Sequence, residues 1–285
     1  MNVHLDCFPC FLKQTLIAAR LGTDDLIMQE RLVKGVLDEI GATDMNRPPA
    51  YSTTFLHRKI RDILGKDPFK DNKSEYNQKA LKLYPALKKM VHDSKDPLWT
   101  AARLAIAGNI IDFGIYSSID IEGTVKRALE TPLAVDNYAE LRKTLNEADE
   151  VLYLLDNAGE IVFDRILIEQ LKDNGIKTKA VAKGMPVLND ATLYDAKEVG
   201  LTDVCEVIDN GSDCIGTILD MTPETFRDEF ENARLVISKG QGNFETLYSP
   251  GKSASKNKQI FFLLQSKCEV VSRELGYEKG AMLLI

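Results

Sequence analysis

Asp156-Asn157-Ala158-Gly159-Glu160 follows the apolar run Val151 to Leu155 and leads into an amphipathic helix pattern. A strand that ends in an acid, an amide and a glycine before a helix is a ligand-binding arrangement, because open parallel sheets bind just beyond the carboxyl ends of their strands. The oxygens of Asp156 and Asn157 are hard donors, suited to Mg²⁺ or Mn²⁺, and a bound cation draws phosphate. Asp190, in Pro186-Val187-Leu188-Asn189-Asp190 after a second strand-like run, adds another carboxylate. Mg²⁺ takes one or two carboxylates and keeps its other positions for waters or substrate oxygens, so Asp156, Asn157 and Asp190 form a plausible set. Singly, each has an ordinary reading: Asp190 can cap a helix from Ala191, and Asn157 can make a turn. Jointly, on one edge of a sheet, they favour a metal.

Other strand ends carry related chemistry. In Lys239-Gly240-Gln241-Gly242-Asn243 the glycines can expose successive N–H groups to an anion, and Lys239 adds charge. The spacing is not a Walker loop, and Glu245 stands where a dinucleotide fingerprint has its third glycine. An ordinary tight turn explains Gly-x-Gly equally well. Lys267 follows another apolar run and is either a substrate contact or a solvated lysine. Asn109 and Asp112 interrupt an apolar helical stretch and share a face. They either point into a cleft against the sheet edge or bond a nearby loop.

Some chemistries are disfavoured. Cys7-Phe8-Pro9-Cys10 has the spacing of a zinc half-site or redox pair, but no second Cys-x-x-Cys follows and the motif precedes a helix. A structural thiol pair is the favoured reading. His4, His57 and His92 share no spacing, and there is no Gly-x-Ser-x-Gly elbow. The net charge of −7 and pI near 5.2 argue against nucleic acid and anionic membranes as partners. An anionic substrate would then need a metal or placed lysines. No leader or spanning segment is recognisable, and five cysteines without an export signal argue against a disulfide framework, so the expected location is cytoplasmic.

The elements that must position these residues fall into two parts. Residues 1–120 read as helical, with helices expected at Phe11–Leu21, Leu26–Ile40, Thr53–Leu64, Asn77–Val91 (interrupted near Pro85) and Leu98–Phe113. Residues 121–149 read as connecting helices. From Glu150, strand-like runs at Val151–Leu155, Thr178–Ala182, Val204–Ile208, Leu235–Ser238 and Ile260–Leu264 alternate with helical patterns, and Gly280–Ile285 adds a candidate final strand. Such alternation predicts an α/β domain, 121–285, with a parallel sheet covered on both faces.

Five motifs occur in order: Asp-Cys-Phe-Pro-Cys at 6–10, Gly-Asn-Ile-Ile-Asp at 108–112, Asp-Asn-Ala-Gly-Glu at 156–160, Asn-Asp-Ala-Thr at 189–192 and Lys-Gly-Gln-Gly-Asn-Phe-Glu at 239–245. In this the chain resembles the metal-dependent damage-control phosphatases, long known as domain of unknown function 89. It is most similar to their compact archaeal and bacterial branch with an N-terminal Cys-x-x-Cys. The resemblance implies a three-layer α/β/α domain with a mainly parallel, Rossmann-like sheet, plus an N-terminal all-helical domain. It implies a divalent ion (Mg, Mn, Co or Ni) held by Asp156, Asn157 and Asp190, and hydrolysis of small phosphorylated metabolites such as sugar phosphates or phosphopantetheine-like compounds. Asp156 and Lys239 would be catalytic, with Lys239 meeting the phosphate. Asn109, Asp112, Glu160, Gly240, Asn243 and Lys267 would bind or orient the substrate. The Arg-Thr pattern that precedes the last lysine in the eukaryotic branch is absent, which argues against that branch's sugar-phosphate preference. Whether the attacking oxygen belongs to Asp156 or to a water stays open. Two other readings are a protein carboxyl methyltransferase, disfavoured because no glycine-rich turn follows the first strand, and a non-catalytic phosphometabolite-binding protein.

Overall fold

The computed structural model describes residues 1–110, 121–249 and 258–285. Six helices come first: α1 (Cys7–Gly22), α2 (Leu26–Gly35), α3 (Leu37–Gly41), α4 (Pro49–Leu64), α5 (Lys70–His92) and α6 (Pro97–Ile110). The single helix expected over Leu26–Ile40 is two, parted at Val36. A Cβ on Gly35 would meet only the Cδ1 tip of Ile63, at 2.7 Å. Conversely, α5 runs unbroken through Pro85. Buried Tyr76, Asn77 and Ala80 anchor it before the proline, and Leu87 and Val91 after. Packing on both sides offsets the lost backbone hydrogen bond.

The remaining elements are α7 (Ile121–Glu130), β1 (Val135–Asp136), α8 (Tyr138–Glu147), β2 (Glu150–Leu154), α9 (Glu160–Asp173), β3 (Lys177–Ala182), α10 (Leu193–Glu198), β4 (Glu206–Asp209), α11 (Glu224–Asn232), β5 (Leu235–Lys239), α12 (Gly240–Leu247), β6 (Gln259–Gln265), α13 (Glu269–Leu275) and β7 (Met282–Leu284). The strands of the described residues form one seven-stranded sheet in the order β1-β7-β6-β5-β2-β3-β4. All neighbours are parallel except β6 and β7. Register is fixed by the apolar centre, where Tyr153 lies opposite Ala180 and Ile237, and Leu154 opposite Val181 and Ser238. From β2 the chain winds outward through β3 and β4, then returns to β5 on the other side of β2. The order therefore reverses between β2 and β5, and a crevice opens at such a point.

One face of the sheet packs Tyr153 and Ile237 against Leu104 and Ile106 of α6 and Phe163, Ile166 and Leu167 of α9. The other face packs Leu152, Leu154, Val181 and Val236 against Phe226 and Phe230 of α11. The result is a three-layer α/β/α sandwich. Helices α5 and α6 join the core of the sheet, whereas α1 to α4 gather around a separate core of Phe11, Leu32, Val36, Leu56 and Ile60. The two are tied by Asp213, a buried carboxylate between β4 and α11 that accepts from Arg58 Nε at 2.9 Å and also pairs with Arg61. Gly108 matters for position: a Cβ there would meet Phe163 at 3.0 Å and push α6 a few tenths of an ångström from α9. Among the described residues no helix is long and apolar enough to cross a membrane.

His57 of α4 is buried beside Phe69, ring centroids 5.9 Å apart, and its Nε2 has no hydrogen-bond partner. Burial, then the Arg61 charge, lowers its pKa to about 3 from 6.5. The folded state thus holds a neutral ring where the unfolded chain takes up a proton. Stability is lost as pH falls below about 6.5, at about 1.4 kcal/mol per pH unit until about pH 3. Urea unfolding of His57→Gln between pH 7 and 4 should show a flatter pH dependence than the parent; equal slopes would remove His57 as the cause.

Candidate active site

The carboxyl ends of β2, β3 and β5 converge at the reversal point. Two loops are laced together there. The loop after β2 and the segment 187–192 after β3 form a backbone bridge between Asn157 and Asp190. Ala158 N donates to Asn189 O at 2.8 Å, and Ala191 N to Asp156 O at 2.8 Å. Asp156, Asn157 and Asp190 are thus brought together by main-chain bonds, independently of their side chains.

Asp156 is oriented from three directions. Asn109 at the end of α6 donates to its Oδ2 at 3.0 Å, and Asn157 does so at 2.7 Å. Gly240, at φ +77°, lies against the same carboxylate: a Cβ would stand 1.9 Å from Oδ2. Glycine is therefore demanded both by conformation and by space. The Asn109 and Asn157 amides also donate to Glu160 Oε2, at 2.8 and 3.2 Å.

Beneath this lies a buried ion cluster. Lys239 is 0 % exposed and donates to Glu160 Oε1 at 2.7 Å, Asp164 Oδ1 at 2.5 Å and Ala105 O at 2.9 Å. Tyr153 adds a hydrogen bond to Asp164 at 2.8 Å. An ammonium has three donors. All three are engaged here, with Ala105, Glu160 and Asp164, so in this structure the ammonium expected to meet a substrate phosphate is directed inward. Asn243 is likewise turned inward, donating to Leu155 O and Lys239 O and accepting from Thr217 Oγ1. Gly240 serves by its closeness to Asp156. Lys267, after β6, is the exposed lysine of the set. Its backbone N donates to Gln241 Oε1 at 2.9 Å, which places it beside the loop of Gly240. Asp112 lies outside the described residues.

The electrostatics divide the carboxylates. Burial pushes Glu160 up, but the charges of Lys239 and Lys267 with the hydrogen bonds from Lys239 and Asn109 outweigh it and hold it below the usual range. Asp156 is pushed well up by burial and by the negative charges of Glu160 and Asp190. Asp190 is raised to about 6 by burial, despite Lys183 and Lys73. Asp190 Oδ2 is buried with no hydrogen bond, and the ammonium of Lys183 stands 3.5 Å away. Asn157 commits its amide nitrogen inward, which turns its Oδ1 the other way. A buried carboxylate oxygen with no hydrogen bond closer than that ion pair, beside a second carboxylate and an amide oxygen, fits a hard divalent cation. Among the described residues no group of three or more His, Cys, Asp and Glu side chains is arranged to hold a metal, and the fitting set has two carboxylates and one amide.

Reasoning from sequence missed Asp164, Tyr153 and Asn77, and placed Lys183 at the sheet edge without giving it a role. Lys183 carries the same signal as Lys239, a lysine directly after a strand. Asp164 follows Glu160 by one helical turn and so shares its face. The contact of Tyr153 with Asp164 and the role of Asn77 depend on tertiary packing.

Comparison with known proteins gives a consistent result. The model of the damage-control phosphatase ARMT1-like domain matches residues 3–283. An uncharacterized protein of Methanocaldococcus jannaschii is 38% identical over 292 aligned residues, covering 100% of this chain and 95% of that protein. A damage-control phosphatase of Archaeoglobus fulgidus is 34% identical, covering 99% of this chain and 98% of that one. The crystal structure of a DUF89 family protein from Pyrococcus horikoshii superposes with a TM-score of 0.91 at 33% identity, covering 100% and 99% of the two chains.

If Lys239 is an internal anchor, Lys239→Met leaves Glu160 and Asp164 buried without their counter-charge. Chemical denaturation should show a loss of about 3–5 kcal/mol, the scale for removing one partner of a buried pair. A midpoint close to the parent's would return Lys239 to a purely substrate-facing role.

Proposed function

The chain belongs to the damage-control phosphatase ARMT1-like family, and from that we propose that it is a metal-dependent phosphatase of small phosphorylated metabolites, with its active site at the rim between β2, β3 and β5. The observation that carries this reading is the buried Asp190 carboxylate, its Oδ2 faced only by the Lys183 ammonium at 3.5 Å, in a loop bridged to that of Asp156 and Asn157. The name of the Archaeoglobus fulgidus relative supports the phosphatase assignment.

On this reading Asp156, Asn157 and Asp190 hold the divalent ion (Mg, Mn, Co or Ni), which when bound supplies Lewis-acid polarisation of a phosphoryl oxygen. Asn109 and Asn157 fix the rotamer of Asp156 by donating to its Oδ2. That leaves the other oxygen to face the reacting centre. Glu160, kept ionised by Lys239, holds both amides in turn. Lys267 is the exposed cation that meets phosphate oxygens, taking the place first expected for Lys239. Positioned positive charge on phosphoryl oxygens is the main form of catalysis in phosphoryl transfer. The net negative chain makes that local charge necessary.

Release of phosphate from p-nitrophenyl phosphate should require added Mn²⁺ or Mg²⁺ and stop on chelation. Asp156→Ala should abolish turnover while circular dichroism stays native, and near-parent turnover by that variant would refute the assignment. Lys267→Met should raise KM about tenfold or more, the scale of one charge-assisted hydrogen bond, with an unchanged unfolding midpoint. An unaltered KM would place the phosphate elsewhere.

A further inference from the structure

Asn77 lies outside all five sequence motifs, yet it bonds both the loop that carries Asp156 and Asn157 and the helix that follows Asp190. It is on α5 and 0 % exposed. Its Oδ1 accepts from Gly159 N at 2.7 Å. Gly159, at φ +78° and ψ −53°, is the residue between the Asp156-Asn157-Ala158 turn and Glu160. Asn77 Nδ2 donates to Asp195 Oδ1 at 3.0 Å and to Glu198 Oε2 at 2.7 Å, both on α10. The second oxygen of Asp195 accepts from Thr192 N at 2.8 Å and Thr192 Oγ1 at 2.6 Å, capping α10 two residues after Asp190. Ser74 and Gln78, one helical turn apart on α5, bond Glu198 Oε1 at 2.6 and 3.1 Å.

One buried amide therefore bridges the loop that carries Asp156 and Asn157 to the helix that anchors Asp190. We infer that Asn77 is a positioning residue that sets the distance between the two ligand loops, and through it the affinity for the divalent ion. This rests on the metal-dependent reading given above. A purely structural amide would contribute to stability without moving ion affinity. The geometry argues for more, because the bonds of Asn77 end on the backbone and cap next to the ligands themselves. The Asn157–Asp190 bridge fixes the two loops at their tips, and Asn77 fixes them at their bases. Groups bonded directly to metal ligands commonly cost ten- to a hundredfold in affinity when lost, and Asn77, one step further out, belongs at the low end of that range.

The test is a Mn²⁺ binding isotherm by calorimetry on the full chain, for the parent, Asn77→Ala, Glu198→Gln and Asp156→Ala, with thermal unfolding recorded alongside. Asn77→Ala is expected to raise the dissociation constant for Mn²⁺ about tenfold. Its phosphatase turnover should recover as Mn²⁺ is raised. Glu198→Gln, which weakens one bond of the same amide and keeps its shape, is expected to shift in the same direction by less. A folded Asn77→Ala that binds Mn²⁺ like the parent overturns the inference, whatever its melting temperature. If Asn77→Ala does not fold, Glu198→Gln decides: parent-like affinity overturns the inference, and a weakened one sustains it. If the parent binds no Mn²⁺, or Asp156→Ala binds as well as the parent, the metal site itself is misassigned and the role of Asn77 falls with it.

Discussion

The buried contact of Lys239 with Glu160 and Asp164 is the constraint around which the rest is arranged. Three charges without solvent are expensive unless each is paired and hydrogen-bonded. Here Lys239 comes from the end of β5, the acids from the first turns of α9, and a further acceptor, Ala105 O, from α6. Strand and helices cannot separate without exposing or orphaning a charge. The same contact keeps Glu160 ionised at the foot of the rim, where it holds the amides of Asn109 and Asn157. Internal stability and the aim of Asp156 thus share one set of bonds.

Above that foundation the fold gathers polar groups by topology. The reversal of strand order between β2 and β5 brings Asp156 and Gly240 side by side from positions far apart in the chain. Glycine at 240 and at 108 serves one purpose twice, since each removes a side chain that would hold neighbouring elements apart. Close approach lets short side chains such as Asn and Asp reach one another directly.

Much of this was legible in the sequence. The strands read from Val151, Thr178, Leu235 and Ile260 are β2, β3, β5 and β6 with ends shifted by at most one residue, because buried parallel strands are near-continuous apolar runs. The run from Val204 begins two residues early, since Val204 and Cys205 precede the ladder of β4. β1 was invisible: two residues, Val135 and Asp136, carry no periodicity, and they count as a strand only by pairing with β7. Proline 85 misled because helix rules concern isolated segments, and α5 is held by what it packs against. In the site, residue types were readable but directions were not. A lysine after a strand reads the same whether it faces solvent, as Lys267 does, or three internal acceptors, as Lys239 does. Asn77 looked like one more polar position on an amphipathic helix, since its partners lie more than eighty residues away.

The outer strands of the sheet have a bearing on how copies of this molecule coexist at high concentration. An outer strand leaves a row of backbone donors and acceptors free to recruit a stranger's strand. On one side that border is β1, only two residues long, and it carries the exposed Asp136. On the other it is β4, four residues long and bracketed by exposed Glu206 and Asp209. Brevity offers little length for templating, and carboxylates at both borders repel an identical neighbour. Fibrous stacking through the sheet is therefore discouraged at its margins, even though the interior of the sheet is apolar and rich in β-forming residues.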